Sequence, residues 1–93
     1  MRVFRQGDII FREVEELPEG EVTGTDDKVE ISGETGHLHT VTKVKVIEID
    51  WNKFVKVPED GATMTHPEHP PLELPPLLVA RVDRVRSVTP YLD

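Results

Sequence analysis

The chain has 93 residues, 37% of them hydrophobic and 31% charged, with a formal net charge of -7 and no cysteine. A chain of this length closes one core, its acidic balance disfavours a surface for double-stranded nucleic acid, and without thiols no disulfide framework, zinc ribbon or cysteine nucleophile is available. No apolar run reaches the roughly 20 residues that span a bilayer and the first residues lack a signal peptide's apolar stretch, so no membrane role and a cytoplasmic or otherwise intracellular setting, viral origin included, are expected.

Turn residues recur at short intervals, from Gly7-Asp8 and Pro18-Glu19-Gly20 to Pro67, Pro70-Pro71 and Pro75-Pro76. Few of the gaps between them hold a helix of three turns. The expected class is all-β: a small antiparallel β-barrel or β-roll of about six to eight short strands, in a single domain spanning 1–93. Taken in order, Asp8 to Val14 is rich in β-formers and ends at Leu17-Pro18. Residues 18–27 suggest an exposed acidic loop, within a stretch from Glu13 to Glu34 that carries nine acids against one base, Lys28.

Val29 and Ile31 alternate with charged or polar neighbours, as on a half-buried strand. Leu38–Thr42, Val44–Ile49 and Phe54–Val57 are hairpin material around Asp50-Trp51-Asn52-Lys53, and Gly61–Thr65 makes one more short strand. Leu77–Val88 fits a helical stripe through Leu78, Val82 and Val85, but its valines and bracketing prolines favour a strand. With three Phe, one Trp and one Tyr the core is thin. A metal, a closed barrel or a dimer interface is expected to support it, and a homodimer is the expected assembly.

All four histidines fall in two tight pairs. His37 and His39, two apart, share one face of a strand, with Cα atoms about 6 to 7 Å apart. His66 and His69 flank Pro67, whose fixed φ suits a β-turn that brings its first and fourth residues within about 7 Å. If the pairs face each other they offer three or four nitrogen ligands, with Glu34 or Glu68 as a carboxylate ligand or as an acceptor for an imidazole N–H. Zinc, iron, manganese and nickel all accept such a set. No organic cofactor is indicated, since the chain has no Gly-rich phosphate loop, nucleophile elbow or HExxH helix.

The expected function is therefore a metal-binding β-domain whose histidine pairs hold one divalent ion, able to activate water or a small substrate where a coordination position stays open. The alternative is a non-catalytic protein-interaction or assembly module, in which the histidines are structural and the acidic stretch or a sheet edge meets a protein partner. A third reading, single-stranded nucleic-acid binding, rests on Trp51, Phe54 and the arginines.

Three blocks carry a resemblance: Arg5-Gln6-Gly7-Asp8-Ile9-Ile10, Gly33-Glu34-Thr35-Gly36-His37-Leu38-His39, and Thr65-His66-Pro67-Glu68-His69 with the Pro70–Pro75 segment that follows. They resemble a family of small uncharacterised prokaryotic β-domains with Gln-Gly-Asp, Thr-Gly-His-x-His and His-x-Glu-His segments, and the likeness runs from Arg5 to about Arg86. The resemblance implies a fold neighbourhood and nominates His37, His39, His66, Glu68 and His69; it brings no activity. The C-terminal strand departs from it, with Leu77–Arg84 where the family resembles Gly-x-Tyr followed by Gln-Arg-Glu-Tyr. Gly36-His37-Leu38-His39 is also faintly similar to the first motif of cupin barrels, without the downstream Glu and second glycine-rich motif, which makes it an analogy only.

Overall fold

The structure is a computed structural model that describes residues 1–32 and 37–84. Among the described residues there are eight strands: β1 (Val3–Gln6), β2 (Ile9–Glu13), β3 (Val22–Ser32), β4 (Leu38–Ile49), β5 (Asn52–Lys56), β6 (Ala62–His66), β7 (His69–Leu74) and β8 (Val79–Arg84). All pair antiparallel in one sheet, along the path β1-β2-β8-β5-β4-β6-β7, with β3 added against β4. The end strands β1 and β7 meet, so the sheet curls into a nearly closed barrel. The all-β expectation is met, at the upper end of the expected strand number.

Short hairpins set the registers. Gln6 pairs with Ile9, which leaves Gly7-Asp8 as a two-residue turn with Gly7 at φ 58, a left-handed conformation that glycine adopts without steric cost. Ile49 pairs with Asn52 across Asp50 (φ 49) and Trp51 (φ 68), the doubly left-handed pattern of a tight hairpin turn. His66 pairs with His69 across Pro67-Glu68. Pro70 and Pro71 follow on β7, an end strand of the path, where a missing N–H is tolerated.

Strand β4 organises the rest. One of its edges pairs with β3 over most of its length, and the register shifts between Asp26 and Lys28. The other edge is shared: β5 lies opposite Lys45–Ile49, and β6 lies opposite Thr40 and Val41. Between those two stretches sits Lys43, at φ 62. This break lets one long strand belong to both halves of the barrel.

Two differences from the sequence reading have physical causes. Residues 18–27 are not all loop: from Val22 onward they belong to β3, with Val22 opposite Ile49 and Asp26 opposite Val46. Backbone pairing along the length of β4 outweighs the poor strand preference of Gly24, Asp26 and Asp27, whose acids still face solvent. Strand β1, only four residues long, carries too short a pattern to recognise alone. The strand expected in the C-terminal segment is met over Val79–Arg84, which pairs on both sides, with β2 and with β5; Leu77 and Leu78 precede it outside the strand, and 85–88 lie outside the described residues.

The barrel interior holds Ile9, Phe11, Val29, Val41, Val55, Met64 and Ala80, all fully buried. Each large apolar side chain so buried contributes about 1.5–3 kcal/mol relative to exposure. Of the buried polar side chains Gln6, His39 and His66, the first two meet in this interior. Buried polar groups persist only with partners, and these two partner each other.

Candidate metal centre

The sheet brings both histidine pairs to one place. Thr40 on β4 pairs with Thr65 on β6, so the next step along the ladder sets His39 beside His66, and the Pro67-Glu68 turn sets His69 opposite His66. The His39 and His66 rings lie 4.2 Å apart between centroids, His66 and His69 4.6 Å, and His39 and His69 5.9 Å. His37, just before β4, stacks at 5.9 Å from His66, and its Nδ1 is 3.5 Å from Glu68 Oε1. His39 and His66 are buried, whereas His37, Glu68 and His69 face solvent. Glu34 lies outside the described residues.

Gln6 decides the protonation pattern. Its Nε2 donates to the carbonyl oxygens of Met64 (3.1 Å) and Pro70 (2.8 Å), which fixes the amide orientation. Its Oε1 then faces His39 Nδ1 at 3.0 Å. A carbonyl oxygen only accepts, so Nδ1 carries the proton. In the neutral ring Nε2 is left as a bare lone pair, and 3.2 Å from it stands Asp8 Oδ1, another acceptor. Two lone pairs at that distance require a positive charge with them, either a proton or a metal ion.

Burial above all pulls His39 below the ordinary histidine range, outweighing the attraction of Asp8. Asp8 is itself largely buried, and its Oδ2 accepts from Arg84 Nε at 3.1 Å. That leaves Oδ1 aimed at the imidazole.

His66 is oriented differently. Its Nδ1 accepts the Glu68 N–H at 3.0 Å, so a neutral His66 bears its proton on Nε2. His69 is placed by a glycine: a Cβ on Gly7 would stand 2.8 Å from His69 Nε2 and 3.2 Å from His39 Cε1. Only a residue without a side chain lets the turn and both rings approach so closely. Arg5 Nε braces the turn by donating to Gly7 O at 2.7 Å.

The donor chemistry fits a divalent ion. Two donors sharing one tetrahedral ion, with bonds of about 2.0–2.2 Å, stand roughly 3.3–3.6 Å apart, slightly more than the 3.2 Å between His39 Nε2 and Asp8 Oδ1. The Gln6 contact at the opposite ring nitrogen is the outer hydrogen bond that metal-bound imidazoles commonly make. Among the described residues no three His, Asp or Glu side chains are already arranged as a complete metal-holding group. An ion seated on Asp8 and His39 would therefore have to draw His69 toward it.

Sequence reasoning nominated the histidines and missed Gln6 and Asp8 as members of the site. The signal was present in Gln6-Gly7-Asp8, which read only as a turn and as part of a resemblance. Each of its three residues touches the histidine cluster. Of the nucleic-acid candidates, Phe54 is buried, Trp51 is exposed at a hairpin tip, and Arg81 contacts Asp83 and Asn52.

Fold and site together define a small antiparallel β-barrel domain with a partly buried histidine cluster at one end. A family model described as a domain of unknown function, DUF8820, matches residues 5–76, and the chain belongs to that family. No curated protein and no solved structure gives a match. Among the described residues no helix is long and apolar enough to cross a membrane.

Proposed function

We propose that this domain binds one divalent metal ion through its histidine pairs, with Asp8 added to the ligand set. The observation that carries the reading is the 3.2 Å approach of His39 Nε2 to Asp8 Oδ1 while Gln6 holds the ring proton on Nδ1. His39 and Asp8 are the first two donors, and His69 Nε2, which stands against Gly7, is the third. His66 joins as a fourth donor by releasing the Glu68 N–H, and His37 stands at the rim beside Glu68. Zinc, iron, manganese and nickel match this nitrogen and carboxylate set.

An ion so held polarises a water in any open position and lowers its pKa. The solvent side of the cluster, where His37, Glu68 and His69 are exposed, is where such a position would face. Calorimetric titration of chelator-stripped protein with zinc, nickel and manganese tests the reading. Saturation at one ion per chain is expected, with binding abolished in His39→Ala. Absence of saturable binding by wild-type protein would overturn it.

A further inference from the structure

The barrel has a seam. Strands β1 and β7 are the two ends of the strand path and lie against each other, yet among the described residues no backbone ladder joins them. Side chains cross it instead: Gln6 of β1 donates to Pro70 O on β7 and Met64 O on β6, and Gly7 stands against His69. Further along the same seam a cavity of about 370 Å³ opens, with Arg2 and Phe4 on one wall and Glu73, Leu74 and Pro75 on the other. The seam is thus drawn shut at the histidine end and gapped at the other.

We propose that the bound ion is the clasp of this seam. Asp8 comes from the β1–β2 turn, His69 opens β7, and His39 belongs to the central strand β4. An ion coordinated by all three ties the two ends of the sheet to its middle, where backbone hydrogen bonds do not. The inference rests on the metal-binding reading above and adds what binding does to the fold. Closure brings the donors near one another, and the ion, having drawn His69 in, disfavours every opening that parts β1 from β7. Openings that leave the site intact, such as fraying of the β4–β5 hairpin around Trp51, gain nothing from it.

Hydrogen exchange read by mass spectrometry on the full chain tests this, without metal and with zinc at a hundred times its dissociation constant, with the bound ion counted in the same sample. Openings that destroy the site become about 100-fold rarer at that concentration. The amides of Val3–Gln6 and Leu72–Leu74 are expected to slow by that order, the Asn52–Lys56 amides far less, and Asp8→Asn is expected to remove the difference. A bound ion with exchange unchanged, or slowed equally throughout the sheet, would overturn the clasp and leave metal binding standing. No bound ion would overturn both.

Discussion

Gln6 Oε1 lies 3.0 Å from His39 Nδ1, a contact between two buried polar side chains 33 positions apart in the chain. Because the same amide donates to two backbone carbonyls, its orientation is fixed and the tautomer of the imidazole follows from it. Everything at the site is arranged around that choice: the other ring nitrogen faces Asp8, and Asp8 is held there by Arg84.

Replacing Gln6 by Ala removes the acceptor of the His39 proton and leaves the Met64 and Pro70 carbonyls without their donor. Loss of buried hydrogen bonds of this kind is expected to cost about 2–3 kcal/mol, read by urea unfolding. Ion affinity is expected to fall about 10–100-fold in the fraction that folds, as when an outer hydrogen bond to a ligand histidine is cut.

Gly7→Ala places a Cβ only 2.8 Å from His69 Nε2 and forces a non-glycine residue to φ 58. The backbone alone costs about 1–2 kcal/mol. For a domain of this size that lowers the melting temperature by roughly 4–16 °C, at about 4–8 °C per kcal/mol. Zinc is expected to restore less of the loss than it adds to wild-type protein, because His69 is displaced.

Acid is expected to weaken the metal-free protein through His39. Its folded-state pKa is lowered, mainly by burial, so below the ordinary value of about 6.5 the unfolded chain binds the proton that the folded chain resists. Unfolding free energy should therefore rise with pH up to that value and lose this dependence above it. Thermal melts from pH 5 to 8 check the sign, and His39→Leu should flatten the slope in that window. A second acidic limb belongs to Glu13, which its hydrogen bond with Arg2 pushes down to about 2: its contribution is present above the ordinary carboxylate range and lost as pH falls toward 2.

Phe11→Ala separates fold from site. Phe11 is fully buried on β2, and its truncation is expected to cost about 3–5 kcal/mol in denaturant unfolding. Phe11 is outside the proposed ligand set, so any folded fraction should still take up one ion per chain, as calorimetry would show.

Much of the fold was legible because its signals are local. Alternation at Val29 and Ile31, β-branched runs on either side of Asp50-Trp51, and proline spacing each report a strand or a turn within a few residues. The acidic residues of β3 were opaque, since their strand comes from a partner, β4, that no local pattern names. The site was half legible: histidines are rare enough for two pairs to stand out, and their spacing implied shared faces. Gln6 and Asp8 were not, because a Gln and an Asp beside a glycine are ordinary turn material until the barrel carries that turn against β4 and β7.

The central claim is that His39 offers a bare Nε2 to a cation shared with Asp8, and nitrogen-15 NMR of the histidine side chains reads this directly. At pH 7.5 without metal, the account predicts a neutral His39 with its proton on Nδ1, and on adding one equivalent of zinc a shift of the Nε2 resonance with Nδ1 still protonated. A His39 ring carrying protons on both nitrogens at that pH, with neither resonance moved by zinc, would contradict it.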